Sequence, residues 1–349
     1  MLQDNRRNLY CYREEEVKST SSQLFRRNTM VKVAEEWLNI CGGCEVTILD
    51  IGDKLLELLP VLDFVHMPVI MDHKYFGQTG EGDPNVIQIP EADVGIISGG
   101  VRNEKEKHVT EAMRKSCKTL IALGSCACFG GIPALANMYT LEDLTNTVYK
   151  ETVTTEASET PKGEVPPLLD RVYAVDEVVP VDLYIPGCPT APELIVQAIT
   201  ALLEGKPFEM PERSVCDECP TKREKKASGG SINRPLQALD VKVGEPWENT
   251  RCYMEQGYLC LGPVTKAGCA QSMLQEGDEK VPRCIKGHMP CRGCFGPIRK
   301  GANPMVEMMG AISSIGLDPK QVPDRRAMLN RYIGGQNRLR PLPARPGAR

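Results

Sequence analysis

The stretch "KTLIALGSCACFGG" (residues 118–131) runs from an unbroken apolar segment straight into glycine, serine and cysteine. An apolar run this short, with no polar alternation, reads as a strand buried on both faces, the pattern of a parallel sheet covered by helices. Cys126 then stands in the loop at the carboxyl end of that strand.

Working outward, the same pattern recurs. "VKVAEEWLNI" (31–40), "DFVHMPVIM" (63–71), "DVGIISGG" (93–100) and "VDLYIPG" (181–187) read as further strands. Between them, "EVTILDIGDKLLELL" (45–59) and "EKEKHVTEAMRKS" (104–116) read as helices, and "APELIVQAITALLEG" (191–205) as an amphipathic helix closed by Gly205. Strands alternating with helices predict an α/β fold built on a doubly wound parallel sheet. Residues 151–180 form a polar excursion between the last two strands, and 220–250 a linker. After Cys216 the regular pattern dissolves into short cysteine-, glycine- and proline-rich segments, as in a small domain organised around metal. The expected organisation is an N-terminal extension at 1–29, the sheet domain at 30–210, a cysteine-rich domain at 211–319 and a basic peripheral tail at 320–349.

Composition narrows the function. A chain of 349 residues with 41% hydrophobic and 25% charged residues is an ordinary globular protein. Its net charge of −4 and 5% aromatic content speak against nucleic-acid binding. No apolar run approaches the ~20 residues of a membrane span. Arginine pairs at Arg6–Arg7 and Arg26–Arg27 lack the apolar segment of an export signal, so the expected location is the cytoplasm. Fifteen cysteines in a reducing compartment then point to metal or redox chemistry rather than disulfides.

The N-terminal cysteines fall at strand ends: Cys41 and Cys44 in "CGGC", Cys126 in "GSCACFGG" and Cys188 in "PGCP". Open α/β sheets bind ligands at this rim. Adjacent glycines (Gly42, Gly43, Gly124, Gly187) let backbone N–H groups approach a cluster closely. Four cysteines also suit zinc, but zinc modules pair two short knuckles, and ligands spread from 41 to 188 fit an iron–sulfur cubane better. Eight more thiols follow: Cys216, Cys219, Cys252, Cys260, Cys269, Cys284, Cys291 and Cys294. They make two quartets, and spacing alone leaves zinc ribbons and clusters both open. Cys117 reads as a buried structural thiol, Cys128 as a neighbour of the first quartet, and Cys11 has no role. Of His66, His73, His108 and His288, only His288 stands among the thiols in sequence. No GxGxxG dinucleotide pattern, phosphate loop or acid–base triad is present.

The order "CGGC", "GSCACFGG", "PGCP", "CDEC", "CYMEQGYLCLGPVTKAGC", "PCRGCFGP" resembles the small, electron-transferring subunit of nickel–iron hydrogenases over residues 30–315. The detail is most similar to the cytoplasmic methyl-viologen-reducing (F420-non-reducing) type. The resemblance implies a flavodoxin-like parallel sheet domain followed by a small irregular iron–sulfur cluster domain, and a row of three 4Fe-4S clusters. The proximal cluster would use Cys41, Cys44, Cys126 and Cys188. The medial would use Cys269, Cys291 and Cys294 and the distal Cys216, Cys219, Cys252 and Cys260. It implies two partners: a large subunit holding the nickel–iron centre, and a further iron–sulfur or flavin subunit that accepts electrons.

This chain departs from many relatives at several places. Cys216 replaces a histidine as first distal ligand, Ser98 replaces a glutamate before the paired glycines, and Gly43 and Gly131 stand where oxygen-tolerant enzymes have extra cysteines. Seven residues before the final CxxC, where many relatives have proline, this chain has Cys284, which offers a fourth medial ligand. Two alternatives stay open: a small subunit of an NAD(P)-linked, deazaflavin-reducing or electron-bifurcating assembly, and a zinc-stabilised interaction protein.

Overall fold

The computed structural model describes residues 30–342 apart from 69–70, 72–74, 76–81, 84–85, 155, 228, 233–245 and 271–279. The expectations for the extension at 1–29, for Cys11, for His73 and for the last seven residues lie outside the described residues.

Five strands form the main sheet: β1 (Val31–Trp37), β2 (Leu62–His66), β3 (Ala92–Ser98), β5 (Cys117–Leu123) and β7 (Leu183–Ile185). All neighbours pair in parallel, in the order β2-β1-β3-β5-β7. Counting only these five strands, this is the doubly wound flavodoxin order, in which the strand order reverses beside β1. Ile96, Ile97 and Leu120–Leu123 are all buried, as a sheet covered on both faces requires. The polar excursion is more structured than its composition suggests. It contributes β6 (Leu168–Tyr173), which pairs antiparallel with β4 (Val101–Asn103) in a separate ribbon.

The helices follow their end signals. α3 (Glu104–Ser116) starts at a capping box in which Asn103 accepts from the Glu106 N–H and Glu106 accepts in return. α6 (Pro192–Glu204) has proline in its first turn and ends at Gly205, φ +65°. The single helix expected over 45–59 is instead two, α1 (Gly43–Leu49) and α2 (Asp53–Leu58). Gly52, at φ +67° and ψ −138°, breaks the helical path between them. The short α4 (Gly124–Phe129) and α5 (Leu141–Asn146) complete this half, and the second expected strand ends at His66 rather than Met71.

Beyond Val215 regular structure is sparse. Apart from the four-residue α7 (Arg283–Lys286), the described residues up to Gly301 have only 3-10 turns and isolated bridges such as Ser214–Lys266 and Thr265–Pro297. α8 (Pro304–Ser314) and α9 (Arg325–Leu329) follow. One apolar core joins the halves, with Val33, Ile121 and Leu194 in the same cluster as Val215, Phe295 and Met308. The stretch read as a peripheral tail also places Leu329, Ile333 and Leu339 in the interior.

Candidate metal centres

Cys41 and Cys44 follow β1, Cys126 lies in α4 directly after β5, and Cys188 follows β7, so all four thiols sit at the carboxyl rim of the sheet. They form one electrostatic group. Burial, then Glu45, then Cys126 push the Cys44 thiol up. Burial, then Cys188 and Cys41, push Cys126 up to about 12. The loops are built around the sulfurs. Gly124, at φ +80°, would carry a Cβ 2.3 Å from Cys44 Sγ, and Gly131 one 2.5 Å from Cys126 Sγ. Ser125 N–H donates to Gly187 O at 2.7 Å, tying two of the three loops together. Cys41 and Cys188 are exposed, so this set faces the surface.

Cys216, Cys219, Cys252 and Cys260 line a small cavity, walled also by Tyr253, Gly262 and Ile285. Burial, followed by the other thiols, raises Cys216 to about 12 and Cys260 higher still. A Cβ on Gly262 would lie 3.0 Å from Cys216 Sγ. Cys219 Sγ is 3.1 Å from Thr221 Oγ1.

Cys269, Cys284, Cys291 and Cys294 form the third set. Burial and then Cys284 and Cys269 raise Cys294. Burial and the neighbouring Glu218 bring Cys269 to about 12. Cys284, on α7, acts on all three of its companions.

The three sets are joined. The backbone of Cys188 and its thiol both act on the Cys294 thiol, the first lowering and the second raising it, so the first set adjoins the third. The Ser125 hydroxyl donates to the Cys294 carbonyl at the same junction. Cys291 N–H donates to Cys260 Sγ at 3.3 Å, linking the third set to the second.

Among the described residues no three His, Cys, Asp or Glu side chains are gathered as a single metal ion needs. The thiols of the second set line a cavity, and glycines pack beside the Cys44, Cys126 and Cys216 sulfurs. All-thiol donors in such cradles fit iron–sulfur clusters, in which each thiolate binds a different iron. Without metal, burial keeps the Cys44, Cys126, Cys216, Cys260, Cys269, Cys291 and Cys294 thiols protonated at neutral pH, so cluster insertion there releases protons.

Several positioning groups carry no sequence signal. Glu218, inside "CDEC", accepts from Gly268 N–H at 2.9 Å and Ala270 N–H at 3.4 Å, fixing the loop of Cys269. Glu255 accepts from Glu224 N–H at 2.9 Å and Lys225 N–H at 2.6 Å. Glu45 is buried beside Cys44 and accepts from the Ser98 hydroxyl. Ser98 therefore supports a carboxylate that the chain carries at position 45. Burial and the Glu45 charge push Glu35 up to about 9.

The remaining cysteines and histidines lie elsewhere. Cys117 is buried against Gly95, and Cys128 Sγ donates to Ala122 O at 3.2 Å in the sheet core. His288 stacks on Trp247 with centroids 4.7 Å apart, His66 bonds Glu36 at 2.9 Å, and His108 is exposed on α3.

The family model described as "NADH ubiquinone oxidoreductase, 20 Kd subunit" matches residues 41–202, the span that carries the first thiol set. The vhu G subunit of the F420-non-reducing hydrogenase of Methanocaldococcus jannaschii is 38% identical over 303 residues, 86% of this chain and 94% of its own length. The corresponding G subunit of the F420-non-reducing hydrogenase of Methanothermobacter thermautotrophicus is 34% identical, over 81% of this chain and 84% of its own. The delta subunit of the NAD-reducing hydrogenase HoxS of Cupriavidus necator is 30% identical over 53% of this chain and 84% of its own. With these cysteine-lined centres and relatives aligned over most of its length, the chain belongs to the family of F420-non-reducing hydrogenase G subunits.

Proposed function

We propose that this chain is the electron-relay subunit of a cytoplasmic nickel–iron hydrogenase. It would pass electrons between a large subunit that handles dihydrogen and a second, iron–sulfur or flavin, redox subunit. In this reading Cys41, Cys44, Cys126 and Cys188 hold a proximal 4Fe-4S cluster. Cys269, Cys284, Cys291 and Cys294 hold a medial one, and Cys216, Cys219, Cys252 and Cys260 a distal one. Bound clusters supply one-electron redox chemistry at potentials set by thiolate number, hydrogen bonds and exposure.

The observation that carries the reading is the pair of links between thiol sets, the Ser125 hydroxyl to the Cys294 carbonyl and Cys291 N–H to Cys260 Sγ. They order the sets as a line, with the exposed Cys41 and Cys188 at one end, suited to face a large subunit. The protein's part is to hold sulfur positions fixed, through Ser125, Glu218 and Glu255, so that little reorganises when charge moves. The F420-non-reducing type is favoured over the NAD-linked alternative, because the NAD-reducing relative pairs with only 53% of the chain.

Anaerobic purification with the native partner subunits, followed by iron and acid-labile sulfide analysis, tests the reading. About twelve irons per chain are expected, one per ligating cysteine. Zinc without sulfide would sink it.

A further inference from the structure

The residues after Leu329 cross the most tightly packed loop of the first centre. Gly334 and Gly335 lie against Phe129–Ala134, and the approach leaves no room for side chains. A Cβ on Gly335 would fall 2.8 Å from Phe129 O, and one on Gly334 2.8 Å from Ala134 O. From the other side, a Cβ on Gly130 would fall 2.8 Å from Gly335 N. Gly335 N–H donates to Phe129 O at 2.8 Å, and Ile333 bridges Gly131. Beyond the crossing the segment is tied down: Gln336 N–H donates to Glu177 Oε2 at 2.8 Å and its Nε2 to Asp176 Oδ2 at 2.9 Å. The loop so clamped is the one that carries Cys126.

Just before the crossing, Tyr332 and Ile333 line a small cavity together with Arg292 and Gly293, the two residues between Cys291 and Cys294. Tyr332 is half-buried, and its side chain walls this cavity beside the turn of the third set. The segment thus runs from the turn between Cys291 and Cys294 of the third set to the loop that follows Cys126 of the first.

We infer that Asn330–Leu339 is a strap closing the gap between the proximal and medial thiol sets, with Tyr332 as the positioning residue that keeps water out of it. This rests on the relay reading above. Water beside a cluster stabilises its more negative, reduced state and gives solutes access to iron, so an open gap raises the potential and weakens retention.

The test uses the anaerobically purified complex with the parent chain, Tyr332→Phe, Tyr332→Ala and Gly335→Ala. Iron release to a water-soluble chelator and EPR-monitored midpoint potentials are measured. Tyr332→Ala and Gly335→Ala are expected to release iron several-fold faster and to raise the proximal or medial midpoint, leaving the distal one unmoved. Tyr332→Phe should follow the parent, because the ring rather than the hydroxyl fills the gap. Parent-like release and midpoints in Tyr332→Ala overturn the strap. Hydrogen exchange at 126–131 reads the same cover whatever metal is bound. Faster exchange there in Gly335→Ala supports the strap and unchanged exchange overturns it, whereas missing sulfide in the parent counts against the relay reading alone.

Discussion

The two halves of the molecule solve one problem in opposite ways. In the sheet half, hydrogen-bonded parallel strands carry Cys41, Cys44, Cys126 and Cys188 to a rim that their backbone defines without metal. In the cysteine-rich half, 3-10 turns and a four-residue helix hold eight thiols. Order there comes from carboxylates that accept backbone N–H groups, such as Glu218 and Glu255. The first arrangement is scaffold before metal. The second is expected to need metal before it has a scaffold, because so little regular structure does not by itself offset the entropy of ordering the chain.

The largest effect expected is therefore on removing metal. Exchange measured by mass spectrometry on chain stripped of iron under anaerobic conditions should keep protection in β3 and β5 while residues 250–270 and 280–295 lose it. The comparison breaks if both lose protection together. That outcome would mean the shared core, with Val33 and Ile121 beside Phe295 and Met308, makes the halves one cooperative unit.

The same contrast governs what the amino-acid sequence reveals. "KTLIALG" and "DVGIIS" are readable because apolar runs of that length have few other fates. The cysteines after them are readable because parallel topology fixes where strand ends gather. β1 is less obvious, since Glu35 and Glu36 are buried in it. Trp37 Nε1–H donating to Glu35 at 2.6 Å, and His66 and Tyr75 at 2.9 Å from Glu36, make that burial possible. None of those partners is near enough in pattern to be foreseen. In the cysteine-rich half, spacing shows eight thiols but not their grouping, because no periodic element relates one to the next. The paired glycines at 334–335 are visible in the sequence, but their meaning depends on Gly130 and Gly131, about two hundred residues away in the chain.

A smaller change sharpens the comparison inside the metal-ordered half. Cys284→Ala removes one thiol from the third set and leaves Cys269, Cys291 and Cys294. Cys284 sits in the first turn of α7, which alanine preserves. The expected product is a medial three-iron cluster with its own EPR signal in the oxidised protein, a raised midpoint and about one iron lost per chain. The chain should stay folded, because three ligands still close the loop. Parent iron content with no three-iron signal would show that Cys284 is not a ligand.

The smallest effect belongs to the scaffold half and costs no iron. Burial and the Glu45 charge raise the Glu35 carboxyl to about 9, so the folded chain holds a proton there that the unfolded chain loses near its ordinary value of 4.5. More protons bound in the folded state means that stability falls as pH rises between those two values, and is free of this penalty below the lower one. Glu35→Gln keeps the acceptor for Trp37 and removes the ionisation. The variant should melt close to the parent at about pH 5 and above it at about pH 9, by on the order of 1–3 kcal/mol once local relaxation is allowed for. A difference that is the same at both pH values would place the cost in packing rather than in charge. The scaffold half would then lack the metal-independent electrostatic strain that distinguishes it from its neighbour.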